Sequence, residues 1–354
     1  MRIVFCGLSI TSSWGNGHAT NYRALVRELT ARGHEVLFCE RDVPWYAAQR
    51  DLPEPPWGRT SLYGSPEELA ERHAADVAAA DLVVVGSYLP EGVAVAEWAL
   101  ETARGATAFY DIDTPVTLGK LRRGDLEYLA PELGGRFDLY LSFTGGPTLE
   151  MLEGEFGARR AIAFHCLVDP EAYRPVEAPP RWDLGYLGTY SDDRQPVLER
   201  LLVEPAARAP RRAFAVAGPQ YPEGIEWPDN VERIEHVAPG DHPAFYASQR
   251  FTLNVTRAEM REAGWSPSVR LFEAAACGVP VISDRWDGLD QVFAPGEEIL
   301  IADSGDDVLG YLADIDEQER REIAARARAR VLAEHTAERR CEQLEREVAA
   351  VPVQ

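Results

Sequence analysis

Short apolar runs alternate with helix-like spacings of apolar residues along the whole chain. The first run, over 3–6, leads into a loop rich in glycine and serine, after which apolar residues from Tyr22 to Leu29 recur at helical spacing. Gly33 stands where a helix often ends, and a second apolar run covers 36–39. Strands that alternate with helices are typical of βαβ units, which build parallel sheets. The pattern therefore predicts an α/β fold.

The same alternation continues along the chain and predicts two series of elements. In the first series, strands are predicted over 82–86, 106–110, 139–143 and 161–166, and helices over 66–80, 91–103 and 147–156. In the second series, strands are predicted over 184–187, 213–217, 231–235, 251–255, 279–283 and 298–301, and helices over 195–203, 241–248, 268–276 and 306–313. A charged helical stretch over 316–350, interrupted near His335, closes the chain.

Prolines between the two series divide the chain into predicted domains. Four prolines between 168 and 182 restrict the backbone and remove hydrogen-bond donors, so no regular element is expected there. The resulting division has four parts: a Rossmann-like domain over 1–170, a proline-rich linker over 171–182, a second Rossmann-like domain over 183–334, and a final helix over 335–354 that could cross back to the first domain. Two doubly wound domains joined in this way are expected to face each other across a cleft, at the carboxyl ends of their strands.

The composition is that of a folded protein with a strongly acidic surface. Of the 354 residues 45% are hydrophobic, which is enough for a core in each domain, and the net charge is −22. Lys120 is the only lysine. Because this charge repels polyanions, we expect neither a nucleic acid nor an anionic membrane surface as a partner. A few arginines are enough to hold a small anionic ligand.

The number of cysteines and the hydropathy of the chain exclude further classes of protein. The five cysteines are an odd number without a close pair, so the sequence predicts neither a disulfide framework nor a zinc site. No apolar run approaches about 18 residues, and the chain opens without a basic segment followed by an apolar one. We therefore expect a reduced, cytoplasmic protein without a membrane span.

The first candidate site follows the first predicted strand. Within residues 14–21, Gly17 allows a ligand to approach the backbone closely, and the following helix N-terminus offers free N–H groups. His18 adds an imidazole, a side chain that often serves as a general acid or base. The third glycine of a dinucleotide fingerprint is missing, so NAD binding is discounted. A histidine that only caps the helix or orders the loop is the alternative interpretation.

Two further strand ends of the first domain carry candidate residues. Asp111 and Asp113 are two positions apart at the end of a buried strand, so they share one face if the strand continues. This predicts that both point at the same solvent on the rim of the cleft. One carboxylate is expected to orient a histidine as in a base dyad, and a turn or helix cap is the alternative. Gly145 and Gly146 precede a helix start. These two glycines, together with Gly17 and Asp111, are the acceptor-side candidates. For Gly145 and Gly146 a tight turn is the alternative and is slightly favoured.

The second domain repeats the succession of strand, glycine and polar loop. Gly188 and Thr189 follow its first strand and are expected to cradle phosphate oxygens, with Arg194 supplying positive charge. Gly218 follows the next strand, and Arg257 ends a later one. These residues predict a site for an anionic ligand at the carboxyl edge of the second sheet.

The most specific segment, residues 266–284, joins a polar loop, a helix with an acid, a glycine stop and a strand. It resembles the donor-binding signature of GT-B glycosyltransferases, which reads roughly L-x-E-A-x-A-C-G-x-P-V-I and is matched over 271–282. Residues 168–175 resemble the family's linker entrance, and residues 17–18 and 32–36 resemble its first βαβ unit. The resemblance covers nearly the whole chain and is nearest to the bacterial spore-maturation-type (CgeB-like) and group 1 enzymes. It implies the GT-B fold.

The resemblance also implies a nucleotide-diphosphate sugar as substrate, with a UDP-sugar as the default for this fold. Glu273 would bind the ribose hydroxyls, and Ser268 with Arg270 would contact the diphosphate. The implied donor site is completed by Gly188, Thr189, Arg194, Gly218 and Arg257. The chain departs from the pattern at Trp265, where retaining members carry a glutamate, so that contact with the sugar is not implied here.

The candidate residues divide between the two demands of glycosyl transfer, which are stabilisation of the leaving group and deprotonation of the acceptor. Arginines, hydroxyls and helix N-termini meet the first demand without a metal, so Asp111 and Asp113 are not interpreted as a manganese site and no cofactor is expected. For the second, His18 acts as base and Asp113 orients it, which predicts inversion at the anomeric carbon. Because the second domain resembles the retaining group, where no base is required, retention stays the alternative.

Two other functions fit the same fold class. A nucleotide-sugar epimerase also uses two facing Rossmann-like domains, but it would need acids and histidines from both of them. A non-catalytic nucleotide-sugar-binding protein would bind the donor without turnover and would not respond to replacement of His18 or Asp113. We prefer a glycosyltransferase that acts on an unidentified acceptor, and the oligomeric state is left open.

Overall fold

The computed structural model describes residues 1–352, which divide into two units. The first unit comprises Met1–Leu167 together with the segment that begins at Ala337, and the second comprises Val168–Thr336. The predicted linker over 171–182 lies at the start of the second unit. Of the final helix predicted over 335–354, the last two positions, Val353 and Gln354, lie outside the described residues.

The first unit is built on a parallel sheet of seven strands. These strands are β1 (Arg2–Gly7), β2 (Glu35–Arg41), β3 (Arg59–Tyr63), β4 (Leu82–Gly86), β5 (Ala106–Asp111), β6 (Leu139–Ser142) and β7 (Ala161–Ala163). Their order across the sheet is β3-β2-β1-β4-β5-β6-β7. The strand order reverses between β1 and β4, which pair directly. In open parallel sheets, ligands bind outside the carboxyl ends of the strands at such a position.

Helices connect the strands of the first unit. They are α1 (His18–Ala31), α2 (Pro44–Ala47), α3 (Pro66–Ala78), α4 (Gly92–Thr102), α5 (Thr114–Arg122), α6 (Pro131–Gly134) and α7 (Pro147–Gly154). The start of α3 shows how local sequence sets these boundaries. The Ser65 hydroxyl accepts the backbone N–H of Glu68 at 3.3 Å, and Pro66 occupies the first turn, where its missing N–H costs nothing.

The second unit is built on a parallel sheet of six strands. These strands are β8 (Trp182–Leu187), β9 (Phe214–Ala217), β10 (Val231–Ile234), β11 (Gln249–Asn254), β12 (Val281–Ser283) and β13 (Leu300–Ile301). Their order is β10-β9-β8-β11-β12-β13, so the strand order reverses between β8 and β11. The carboxyl ends of these two central strands are therefore the expected place for a ligand of this unit.

The helices of the second unit include the segment singled out in the sequence. They are α8 (Gln195–Leu198), α9 (Glu204–Arg208), α10 (His242–Ala247), α11 (Ala258–Ala263), α12 (Val269–Ala276), α13 (Leu289–Val292), α14 (Gly305–Asp314) and α15 (Glu317–Glu334). From Arg270 onward every residue of α12 is buried, and the helix packs against α15. Gly278 follows α12 with φ of +76°. This left-handed conformation often ends a helix, and glycine is the residue that adopts it most readily.

The last helix of the chain, α16 (Ala337–Ala349), belongs to the first unit, where it packs against α1. The Arg32 guanidinium binds the Glu345 carboxylate through Nε at 2.9 Å and Nη2 at 2.6 Å. Arg340 donates through Nε to the carbonyl oxygen of His165 at 2.9 Å. Residues distant in sequence thus complete the first unit.

The fold class predicted from the alternation, two Rossmann-like parallel α/β domains, is confirmed. The structure adds β3 and six helices that were not predicted, α2, α5, α6, α9, α11 and α13. Trp182, placed at the end of the predicted linker, is the first residue of β8. Within residues 1–352, none of the helices has both the length and the apolar character needed to cross a membrane.

Candidate functional site

A buried carboxylate shapes the loop between β1 and α1. Glu40, at the carboxyl end of β2, accepts the backbone N–H groups of Ile10 (2.7 Å) and Thr11 (3.0 Å) and the hydroxyl of Thr11 (2.6 Å). At the far end of the loop, Gly17 is the N-cap of α1 and has ordinary right-handed angles. His18 is therefore presented at the start of α1 by a loop that Glu40 holds in place.

His18 and Asp113 lie close together at the carboxyl edge of the first sheet. His18 Nε2 is 3.5 Å from Asp113 Oδ2, and their side chains are 24% and 13% exposed. Asp113 occupies the N-cap position of α5, but its side chain does not cap the helix. Instead its Oδ2 accepts the hydroxyl of Tyr88 at 2.9 Å. The geometry required for the predicted dyad is present, and its catalytic role stays a prediction.

Asp111 does not share the environment of Asp113, contrary to the sequence prediction. It is fully buried and accepts the hydroxyls of Tyr140 (2.6 Å) and Thr117 (2.7 Å). Burial raises the pKa of Asp111 to about 6. The prediction that both aspartates point at the same solvent is wrong because β5 ends at Asp111 and the alternation of faces ends with it. An acceptor-side contact through Asp111 is not what this geometry favours.

Gly145 and Gly146 form the turn between β6 and α7. Gly146 is the N-cap of α7 with φ of +58° and ψ of −143°, angles that favour glycine. Gly145 lies against the imidazole of His165, whose Nδ1 is 2.7 Å from the carbonyl oxygen of Phe143. Burial lowers the pKa of His165 to about 4. This arrangement matches the tight turn that the sequence slightly favoured over an acceptor contact.

In the second unit, the glycine loops after β8 and β9 touch each other. A Cβ atom on Gly218, where φ is +140°, would collide with the carbonyl oxygen of Gly188. The Thr189 carbonyl oxygen accepts Nη2 of Arg194 at 2.7 Å, while Nε of Arg194 has no hydrogen-bond partner within the described residues. Two close backbones and an incompletely paired guanidinium are suited to an anionic ligand.

A network of hydrogen bonds orients the polar side chains at the start of α12. The amide oxygen of Asn254, the last residue of β11, accepts Ser268 Oγ at 2.7 Å and Arg270 Nη1 at 2.9 Å. Arg270 also donates through Nε to the carbonyl oxygen of Leu187 at 2.5 Å, and its guanidinium lies 4.7 Å from the ring centre of Tyr186. Ser268 does not cap α12 with its side chain. The Leu271 N–H donates to the Ser268 carbonyl oxygen at 3.1 Å, so a ligand at this end of α12 would meet the N–H groups of Val269 and Arg270.

Glu273 lies one turn further along α12 and is almost fully buried beside the uncharged side chains of Tyr246 and His242. The hydroxyl of Tyr246 is 3.4 Å from Glu273 Oε2, and His242 Nδ1 is 3.9 Å from the same oxygen. Burial lowers the pKa of His242 to about 4, so the ring is neutral at pH 7. Its Nε2 donates to the Val237 carbonyl oxygen at 3.2 Å, which leaves Nδ1 to accept the hydroxyl of Tyr173 at 3.2 Å.

Arg257 and Asp284 complete the polar edge of this unit. Arg257 Nε is 3.9 Å from Asp193 Oδ2. Asp284, directly after β12, accepts the backbone N–H (3.1 Å) and hydroxyl (2.8 Å) of Thr256, and burial raises its pKa to about 6. Sequence reasoning assigned no role to Asp284. The signal was present, because a polar residue that directly follows an apolar strand lies at the ligand edge of a parallel sheet.

Trp265 stands where the resemblance leads one to expect an acid. Its backbone is in the left-handed region, with φ of +45°, and its N–H donates to the carbonyl oxygen of Asp287 at 2.6 Å. The indole lies against Gly288 so closely that a Cβ atom there would collide with it. Within residues 1–352, no cluster of three or more histidine, cysteine or acidic side chains is placed to hold a metal ion.

Comparison with known proteins finds one matching family and solved structures of the same fold. The family described as "Glycosyl transferase-like" matches residues 194–346, which include α12. A search of curated proteins gives no match. Among solved structures, HepE of Anabaena in complex with UDP and glucose is 15% identical, with a TM-score of 0.72 over 99% of this chain and 100% of that chain.

Two other solved structures have the same architecture. Sucrose-phosphate synthase of Thermosynechococcus elongatus is 16% identical, with a TM-score of 0.73 over 99% of this chain and 100% of that one. An α-glucosyltransferase in complex with UDP and a 13-mer DNA is 11% identical, with a TM-score of 0.75 over 99% of each chain. At such identities the structures establish the fold alone, which is GT-B.

The family match and the fold together confirm the class inferred from the sequence, an enzyme of the glycosyltransferase type with the GT-B fold. The finer resemblance to the spore-maturation-type enzymes stays a prediction.

Proposed function

We propose that this enzyme transfers a sugar from a UDP-sugar to an acceptor hydroxyl and that the second unit binds the donor. The observation that carries the proposal is the arrangement at the start of α12. There, Asn254 orients Ser268 and Arg270, and the Glu273 carboxylate lies one turn further along the helix. HepE and the DNA-bound α-glucosyltransferase, which share this fold, are both described in complex with UDP, which supports a uridine nucleotide.

The proposed donor site stabilises the leaving group with fixed charges and N–H groups. Arg270, Arg194 and the first N–H groups of α12 would bind the diphosphate, where negative charge develops as the sugar departs. Glu273 would accept the ribose hydroxyls. No metal is required in this scheme, so addition of EDTA is expected to leave UDP affinity unchanged.

The proposed acceptor chemistry belongs to the first unit. His18 would take the proton of the acceptor hydroxyl, and Asp113 would stabilise the imidazolium that forms. A base of this kind supports direct displacement and inversion at the anomeric carbon, and retention is the competing outcome. The net charge of −22 makes a polyanionic acceptor unfavourable, so we propose a small molecule rather than a nucleic acid as acceptor.

The donor site is tested by calorimetric titration of the full chain with UDP, GDP, dTDP, ADP and CDP. We expect UDP to bind most tightly and Glu273→Gln to weaken it by about tenfold or more, because ribose hydroxyls lose a charged acceptor. The matched control is Glu262→Gln, an exposed carboxylate on α11, which should leave the affinity unchanged. A wild-type chain that binds none of the five nucleotides at millimolar concentration would overturn the proposal.

A further inference from the structure

Tyr88 has an unusual backbone conformation at the carboxyl edge of the first sheet. It follows β4 with φ of +60°, a left-handed conformation that costs free energy for a bulky aromatic residue. The preceding residue is fixed on both sides, because Ser87 N–H donates to the Tyr110 carbonyl oxygen (2.9 Å) and Ser87 Oγ accepts the N–H of Ile112 (3.1 Å). Backbone strain that is held in place by its surroundings is typical of functional sites.

The side chain of Tyr88 contacts both members of the predicted dyad. Its hydroxyl donates to Asp113 Oδ2 at 2.9 Å, and its ring lies nearly parallel to the imidazole of His18, with centroids 5.9 Å apart and an interplanar angle of 22°. On another side, the ring packs against Tyr128 at 5.2 Å, and the hydroxyl of Tyr128 lies 3.0 Å from Thr117 Oγ1. Tyr88 is thus braced from α5 and from the loop beyond it.

The same contacts decide which nitrogen of His18 carries a proton. A carboxylate only accepts hydrogen bonds, and Asp113 Oδ2 lies 3.5 Å from Nε2 of the ring. This carboxylate favours hydrogen on Nε2 in the neutral ring, which leaves the lone pair on Nδ1. No described residue forms a hydrogen bond to His18 Nδ1 in this structure.

We infer that Tyr88 is a positioning residue that holds Asp113 and the His18 ring so that Nδ1 is the basic nitrogen. The inference rests on the proposed role of His18 as base. In that step the acceptor O–H bond breaks as the proton passes to Nδ1, and a bond forms between the acceptor oxygen and the anomeric carbon. The bond from that carbon to the diphosphate breaks, and the electron pair leaves with UDP.

The experiment is a two-bond ¹H–¹⁵N correlation spectrum of the full chain labelled with ¹⁵N-histidine, with the His18 signals assigned by their loss in His18→Gln. The wild type is expected to show the tautomer with hydrogen on Nε2. Tyr88→Phe keeps the ring and removes the hydroxyl, so His18 should shift to a mixture of tautomers. The control, Tyr46→Phe in α2, should keep the wild-type pattern.

A second variant keeps the tautomer assignment testable if the Tyr88→Phe chain does not fold. Asp113→Asn keeps the shape of the side chain but removes the obligatory acceptor, and it should also produce a mixture of tautomers. A His18 ring that bears hydrogen on Nδ1 in the wild type, or tautomer signals that are unchanged in a folded Tyr88→Phe chain, would overturn the inference.

Measurements of turnover and of UDP binding distinguish a wrong role for Tyr88 from a wrong proposed function. Tyr88→Phe should lower kcat for UDP-sugar consumption by about tenfold, a fraction of what a positioned base contributes, and should leave the Kd of UDP unchanged. If the wild type binds no UDP, or if His18→Gln turns over normally, the proposed function fails whatever the tautomer. If those tests succeed and Tyr88→Phe keeps full kcat, only the role of Tyr88 is refuted.

Discussion

Arg270 is a nearly buried cation that has polar partners but, among the described residues, no carboxylate within ion-pair distance. Its guanidinium is fixed by the carbonyl oxygen of Leu187 and the amide oxygen of Asn254. An uncompensated buried charge is costly, and a bound diphosphate would supply the missing negative charge. We therefore predict that Arg270 acts on the phosphates of the donor and not on its nucleoside.

The magnitude follows from the chemistry of the contact. A hydrogen bond to a charged group contributes about 1.5–3 kcal/mol, which corresponds to a roughly 10- to 150-fold change in Kd. Arg270→Gln removes the charge and retains an amide that can still donate to Asn254. It should weaken UDP binding within that range. Arg270→Lys keeps the charge but lacks the planar fork whose separate nitrogens reach Leu187 and Asn254, so it should also weaken binding.

Calorimetric titration with UDP and with uridine separates the phosphate contact from general damage. Arg270→Gln should weaken UDP strongly and leave the affinity for uridine unchanged. The control is Arg285→Gln, an exposed arginine of the same unit paired with Asp303, and it should alter neither affinity. An equal loss for UDP and uridine, or no loss for either, would refute the reasoning.

Three further predictions concern stability and the support of the donor site. Burial raises the pKa of Asp111 from 3.8 to about 6, so the native state binds this proton more tightly than the unfolded chain and stability falls as pH rises through that interval. Asp111→Asn should flatten that part of the profile in urea unfolding, and parallel profiles for the two proteins would contradict the assignment. Gly218→Ala should lower Tm by several degrees in calorimetry because its Cβ meets the carbonyl oxygen of Gly188, and an unchanged Tm would show that the loops are not in contact. Tyr173→Phe removes a hydroxyl beside His242 and Glu273 and should weaken UDP binding by about fivefold at unchanged Tm. An unaltered Kd would exclude Tyr173 from the support of Glu273.

Periodicity and proline placement were sufficient to predict most of the fold. The interruption of the final helical stretch near His335 corresponds to the end of α15 at Glu334 and the start of α16 at Ala337. β3 was missed because its sequence, Arg-Thr-Ser-Leu-Tyr, is too polar for a buried strand, and it lies at the edge of its sheet. Helix α5 was missed although it carries Pro115 in its first turn, because this helix-start signal was not used in the prediction.

Only part of the candidate site could be predicted from the sequence. The proximity of His18 and Asp113 was predictable because both follow strands whose carboxyl ends share one edge of a parallel sheet. The direction of Asp111 was not, since it depends on where β5 ends. The contacts of Tyr88 depend on a left-handed backbone that no local pattern encodes for a tyrosine.

The most direct test of the central claim is proton NMR of the full chain incubated with UDP-sugars, with or without candidate acceptors, because it reports both consumption of the donor and the configuration of the product. We expect the wild type to consume a UDP-sugar and to release a sugar of inverted anomeric configuration, by transfer or slow hydrolysis. We expect Glu273→Gln and His18→Gln to consume far less. Absence of consumption of every UDP-sugar by the wild type, or equal consumption by His18→Gln, would contradict the account.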